Sequence, residues 1–262
     1  MSVAGRETWF HLPALDLAFD LGRAPSSLVP VPNVFLSHAH LDHGAGLAYW
    51  FSQRKLHKLE GGVVRTDASA VENLRRIVSL HEELERVAYG GRIEAMAPGD
   101  RVGLRKDLEV SAFRVDHRIP SLGFLASETR NKLSARFHGK DEGEIRAAIA
   151  RGESVSERVA IPLVAYSGDT AAGFFDLAPK EVFRAKVLLL ECSFVDPRDR
   201  HRSGEWKHLH LDEIAERADL FENEALVLVH LSLRTTPDEI RRYVKERLPA
   251  SLASRTLAFL PD

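Results

Sequence analysis

Three stretches of the chain are apolar almost without interruption. Residues 159–166, 185–191 and 225–231 predict strands covered on both faces, because neither face carries the polar positions that solvent contact would require. Residues 31–37 and 62–66 are short and valine-rich and predict two more strands. Residues 108–115 partly alternate, which predicts a half-buried strand. Between these runs the period changes. Val71, Leu74, Val78, His81, Leu84 and Ala88 recur at helical spacing and predict a helix over 67–88 with that face inward. Ile145, Ala148 and Ile149 predict a helix over 141–151 that Gly152 stops. Ile214, Ala218 and Phe221 predict another over 212–222. The last helix has an explicit start: Thr236 caps it, Pro237 takes the first helical position and Glu239 completes a T-x-x-E box. Its inward face is Ile240, Tyr243, Val244 and Leu248. Strands and helices mix along the whole length, and no Pro-, Gly- or Ser-rich linker divides them. The expected architecture is a single α/β domain over residues 1–262, with helices covering sheets on both outer sides.

Composition adds limits. At 262 residues, 44% apolar and 28% charged, the chain can bury a sizeable core, which excludes a disordered, fibrous or disulfide-stapled protein. With 36 basic and 38 acidic residues the net charge is -2, so wholesale attraction to nucleic acid is not expected, although a local basic patch is compatible. The lone cysteine, Cys192, has no internal partner and points to a reducing compartment, the cytoplasm. The first residues lack a signal-peptide pattern, and no apolar run approaches the ~20 residues that span a bilayer, so no membrane partner is expected.

The chemistry is concentrated after the strand at 31–37. Residues 33–46 read NVFLSHAHLDHGAG, so His38, His40, Asp42 and His43 form H-x-H-x-D-H. Alternation puts His38 and His40 on one side of an extended segment. Asp42 and His43 follow as the chain turns, and Gly44 and Gly46 permit that turn. A lone histidine is usually an ordinary core or surface residue. Four such groups packed together would desolvate badly unless a cation compensates. Imidazole nitrogen and carboxylate oxygen are zinc donors, and four of them from one strand end suit two adjacent metals better than one open site.

This segment resembles the signature of the metallo-β-lactamase superfamily. That fold is an αβ/βα sandwich: two mixed β-sheets flanked by helices, with the metals at one edge. Residues 7–25, 105–124, 165–170, 185–197, 207–218 and 226–235 resemble the tRNase Z family in its short plant-type form. The resemblance implies two zinc ions per chain, with manganese or iron compatible with the same N/O donors. One would be held by His38, His40 and His117 (in VDHRIPSLGF), the other by Asp42, His43 and His230 (in VHLSLR), with Asp169 (in AYSGDT) bridging them. Taken singly, His117 also reads as a surface residue, Asp169 as a turn residue and His230 as a core histidine.

The resemblance also implies catalytic roles. Asp42 would orient or deprotonate the attacking water. His208 in KHLHLDEIAE would donate a proton, with His210 the alternative, and Glu191 would orient that histidine or else be a strand-end surface acid. Ser232 and Arg234 follow His230 and suit a phosphate or the RNA backbone, an ion pair being the other reading of Arg234. The implied activity is removal of the 3′ trailer from precursor tRNA by a metal-activated water, in a homodimer. Two departures keep other readings open. The family's P-x-K-x-R-N loop is absent, and the 51 residues from 118 to 168 look compact for an arm that grips the tRNA elbow. Arg130, Lys132, Arg136 and Lys140 are the basic candidates there, a solvated stretch being the plain alternative. A phosphodiesterase for a cyclic nucleotide or another small phosphodiester is the runner-up. A metal-binding scaffold without turnover is the third reading.

Overall fold

The computed structural model of the chain describes residues 1–260. A short hairpin, β1 (Ser2–Val3) and β2 (Glu7–Thr8), precedes two larger sheets. The first holds β3 (Phe10–Leu12), β4 (Leu17–Phe19), β5 (Asn33–Phe35), β6 (Val63–Asp67) and β7 (Arg92–Met96) in sequential order, parallel except for β3 against β4. The second holds β8 (Arg101–Arg105), β9 (Leu108–Arg114), β10 (Leu122–Leu133), β11 (Ser156–Tyr166), β12 (Val187–Glu191), β13 (Ala225–Val229) and β14 (Thr256–Ala258). Its first four strands are antiparallel and its last four parallel.

Side-chain alternation explains the layers. In β12, Leu188 and Leu190 join a cluster under the outer helices, whereas Leu189 faces the other sheet. In β5, Val34 faces helices and Phe35 faces inward. A strand buried on both faces needs no polar alternation, which is why these segments read as continuous apolar runs. The layer between the sheets is aromatic: Phe19 stacks on Phe124 and Tyr166, and Phe35 packs against Phe124. Helices α1 (Leu41–Gly44), α2 (Leu47–Leu56) and α3 (Ala68–Glu85) lie with the first sheet. Helix α4 (Glu142–Ala150) sits apart. With the second sheet go α5 (Phe174–Leu177), α6 (Arg200–Trp206), α7 (Leu211–Ala215), α8 (Pro237–Arg247) and α9 (Ala250–Ala253). The result is an αβ/βα sandwich, and α8 starts with the full Thr236–Glu239 capping box.

Two expected helices differ. The stretch 212–222 is not one helix: α7 ends at Ala215, and a single 3-10 turn follows at Ala218–Leu220. Phe221 is drawn instead into edge-on contact with Phe175 and Phe183, a burial that a continued helix would not give it. In α3 the apolar stripe is buried only at Val71 and Leu74, and Leu84 is 80% exposed. An 18-residue helix spans about 27 Å, while a five-residue strand spans about 16 Å, so α3 overruns the sheet it covers.

Candidate metal centre

The parallel strands of both sheets end at one edge. There the chain after β5 carries His38 and His40, with Asp42 and His43 in α1. The chain after β9 carries His117, after β11 Asp169, after β12 Glu191 at its last position, and after β13 His230. Loop ends of parallel strands are where open α/β sheets bind ligands, because side chains from several strands converge there without breaking the ladders. His230 takes φ 57, a strained conformation for a residue with a side chain, which fits a position fixed by function rather than by local preference. Gly168, at φ 61, lets the chain turn Asp169 inward where a Cβ would meet Ser37 at 2.8 Å.

The donor atoms fall into two main groups, and a third, Asp169, His208 and His230, overlaps both. His38, His40, His117 and Asp169 form one, and Asp42, His43 and His230 the other, each with its ligand atoms within 4.8 Å of one another. His40 Nδ1 is 3.0 Å from His38 Nε2 and 3.3 Å from His117 Nε2. His230 Nε2 is 3.3 Å from Asp42 Oδ2, and His43 Nε2 is 3.7 Å from that same oxygen. Asp169 lies between: Oδ2 is 3.7 Å from His38 Nε2 and 3.4 Å from His230 Nε2, while Oδ1 is 3.4 Å from His43 Nε2.

Outer contacts set the tautomers. His43 Nδ1 lies 2.6 Å from Asp20 Oδ2, and His117 Nδ1 lies 3.1 Å from the Lys207 carbonyl. Both partners are acceptors, so these nitrogens donate, which leaves each Nε2 as the atom that faces the centre. Ser37 Oγ meets His38 Nδ1 at 2.9 Å, and Ser193 Oγ meets His230 Nδ1 at 3.0 Å. Asp20 is the hub: it also accepts from the Ser37 amide at 2.6 Å, the Ser37 hydroxyl at 3.0 Å and the Tyr166 hydroxyl at 2.5 Å.

The unbalanced atoms test the fit to a cation. His43 Nε2 and Asp169 Oδ1 are buried and make no hydrogen bond to the described residues. Such atoms are costly unless something compensates them. Burial, reinforced by His43, holds His38 well below the ordinary imidazole range, and burial pulls His117 down to about 4, so both remain neutral donors. Burial alone would raise Asp169, but the imidazoles of His230 and His43 outweigh it and hold the carboxyl well below the usual range. Neutral imidazoles at His38 and His117 and an ionised carboxylate at Asp169 are donors for a divalent cation. Burial works against a charge on His43, but Asp169 and Asp20 hold its pKa well above the ordinary range, so it gives up its Nε2 proton when a cation takes that place.

His208 borders this cluster. Its ring stacks on His230 with centroids 5.2 Å apart, and its Nδ1 donates to Glu191 Oε1 at 2.6 Å. Burial lowers its pKa, and the fully buried Glu191 carboxylate more than offsets that, pushing it up to about 9. His210 is occupied elsewhere. It is fully buried, donates from Nε2 to the Asp196 carbonyl at 2.9 Å, and accepts the Asp212 amide as the cap of α7.

A cavity of about 300 Å³ opens over the centre, bordered by Asp42, Asp169, His208, His230, Ser232 and Arg234. Arg234 forms no ion pair among the described residues and is exposed. Among the lining residues that the sequence did not single out are Phe194, Arg202 and Trp206. Asp20 was missed as well, a lone acid after the apolar β4, and no short-range spacing ties it to His43.

Farther out, β10 and β11 run on together beyond Glu128, where pairing with β9 stops. The extension closes through the Ser134 amide on the Val155 carbonyl at 2.9 Å, and a 3-10 turn and α4 form its tip. Arg130, Lys132, Arg136 and Lys140 all sit on this projection. Arg130 is paired with Glu128, Arg136 donates to the Ser154 carbonyl, and Lys140 lies 3.7 Å from Glu144.

An αβ/βα sandwich with this constellation at its edge defines a metallo-hydrolase of the β-lactamase class. A family model described as a beta-lactamase superfamily domain matches residues 13–231. The chain is 32% identical to tRNase Z TRZ1 of Arabidopsis thaliana, over 98% of this chain and 92% of that one. It is 30% identical to the chloroplastic tRNase Z TRZ2 of the same plant, over 93% of this chain and 70% of that one. The crystal structure of the short form of human tRNase Z superposes with a TM-score of 0.61 at 18% identity, covering 89% of this chain and 91% of that chain. The chain belongs to the tRNase Z family of the β-lactamase superfamily. Among the described residues no helix is long and apolar enough to cross a membrane.

Proposed function

We propose that this protein is a metal-dependent endoribonuclease that removes the 3′ trailer from precursor tRNA. The observation that carries the reading is the common cavity shared by the two donor groups and by His208 locked onto Glu191. The relatives named as tRNase Z support the substrate.

The donor set fits two zinc ions, one on His38, His40 and His117 and one on Asp42, His43 and His230, with Asp169 between them. When bound, such a pair supplies an acidified water and positive charge against the phosphate oxygens. Asp42, fixed by the Gly5 amide at 3.0 Å, orients the incoming water and takes up its proton. His208 gives its proton to the 3′ oxygen as the P–O3′ bond breaks, and Glu191 holds the imidazole in the donating tautomer. The water oxygen ends on phosphorus. The products are a tRNA with a 3′-hydroxyl and a trailer with a 5′-phosphate. Ser232 and Arg234 grip the backbone at the cavity wall.

The shared aromatic layer between the sheets supports reading residues 1–262 as one domain. The buried unpaired Cys192 supports a reducing, cytoplasmic setting. A homodimer fits the family, and the exposed Ile77, Leu80 and Leu84 on α3 offer an apolar face for it. Analytical ultracentrifugation decides that point.

The test is an assay on precursor tRNA with metal content measured on the same preparation and a cyclic nucleotide run in parallel. Cleavage directly after the discriminator base is the expected result. Turnover of the cyclic nucleotide with the tRNA left intact would replace this reading by that of a small-phosphodiester hydrolase.

A further inference from the structure

Trp206 is out of place for a structural residue. Of the three tryptophans, Trp50 is fully buried, whereas Trp206 is 45% exposed at the end of α6. It lines the same cavity as Asp42, Asp169 and His208. An indole left half in water at the mouth of a polar site loses the burial that usually justifies so large an apolar surface.

Its position is tied to the centre by paired links between two segments. The Lys207 carbonyl accepts from His117 Nδ1 at 3.1 Å. Lys207 Nζ bonds Asp116 at 3.1 Å. Arg118 Nη2 donates to the Glu205 carbonyl at 2.8 Å, and its guanidinium lies 4.8 Å from the Trp206 ring centroid. Residues 205–207 are thus clamped to residues 116–118, one of which is a proposed metal ligand. Lys207 takes φ 59, turning the chain so that Trp206 stays at the rim while His208 enters the site. The backbone that carries Trp206 is therefore held in register with both His117 and His208, and the Arg118 guanidinium backs the ring.

We propose that Trp206, backed by Arg118, is the platform on which a nucleobase beside the scissile phosphate stacks. This rests on the RNA-cleaving reading of the site and assigns it a base-contacting residue. A flat indole braced by a guanidinium accepts the face of any base, so the contact orients the strand without reading its sequence. Arg234 on the same cavity wall, which has no ion pair among the described residues, supplies positive charge for the backbone that such a base would bring with it, whereas Arg202 there is paired with Asp199 at 2.8 Å.

The test compares the parent, Trp206→Ala and Trp206→Phe on three precursor tRNAs: one unmodified, one abasic on the 5′ side of the cut and one abasic on the 3′ side. Trp206→Ala is expected to lower kcat/KM on the unmodified RNA about 10-fold, in line with alanine effects on base stacking. Trp206→Phe should recover most of it. On one of the two abasic RNAs the parent and Trp206→Ala should cut at equal rates, which identifies the stacked nucleotide. Equal losses on all three RNAs, or no loss on any, would overturn the stacking role. A parent that cuts none of the three while hydrolysing bis-p-nitrophenyl phosphate would overturn the RNA reading beneath it, a separate and recognisable failure.

Discussion

His43 Nδ1 lies 2.6 Å from Asp20 Oδ2, and both side chains are fully sealed from solvent. The pair fixes the face that His43 turns to the centre. Asp20 also holds the Ser37 and Tyr166 hydroxyls, so its loss leaves several buried donors unpaired at once. Asp20→Ala should lower metal affinity about 10–100-fold, the usual effect of removing an outer partner of a ligand. It should also destabilise the fold by about 3 kcal/mol. Isothermal titration with zinc and urea denaturation of the metal-free protein check the two effects separately.

His208 and Glu191 predict a split between chemistry and metal. His208→Ala should cut the turnover of precursor tRNA by about 10²–10⁴-fold, the range for loss of a general acid, while metal content stays near that of the parent. Glu191→Gln should fall between the two, since the amide oxygen can still accept from Nδ1 but carries no charge. A His208→Ala protein as active as the parent would remove the proton donor from the mechanism. Single-turnover kinetics with metal analysis read both quantities.

Asp169 touches both donor groups, so it predicts a linked loss of metal and stability. A ligand that binds only the folded state at about 100 times its Kd adds about 2.7 kcal/mol. Chelation of the parent should therefore lower Tm measurably. Asp169→Ala should retain little metal and show almost no Tm response to the same chelator. Calorimetry with and without chelator is the measurement.

The projecting β10–β11 hairpin predicts an effect confined to large substrates. Neutralising Arg130, Lys132, Arg136 and Lys140 together should raise KM for precursor tRNA and flatten its dependence on salt, because each lost phosphate contact lowers the salt slope by a little under ~1. Hydrolysis of bis-p-nitrophenyl phosphate should not change. An unchanged salt slope would return the four residues to an ordinary solvated surface.

Local patterns carried much of this architecture. H-x-H-x-D-H was legible because four donors crowd into six positions, and β12 and β13 because an unbroken apolar run of that length fits a strand covered on both faces. The start of α8 was legible because its cap is made by neighbours in sequence. What escaped was non-local. Strand β10 reads LGFLASETRNKL, its first half buried between layers and its second half projecting into solvent, so no single period runs through it. Asp20 looks like a turn acid until it meets Tyr166, which is far along the chain. Trp206 and Arg118 come together only because the chain after α6 packs against the chain after β9. The stripe on α3 misled in the opposite sense, promising burial for Leu84 where the sheet beneath has already ended.

The seven donors are spread from His38 to His230, and both sheets contribute to them. A ribosome making this chain therefore exposes a harmless polypeptide for most of the time it takes to translate it. Only when β13 has emerged and docked beside β12 would the full set of proposed ligands be assembled. Fragments ending before residue 225 should leave RNA untouched at any metal concentration, so prematurely terminated products would pose no danger to the transcripts around them.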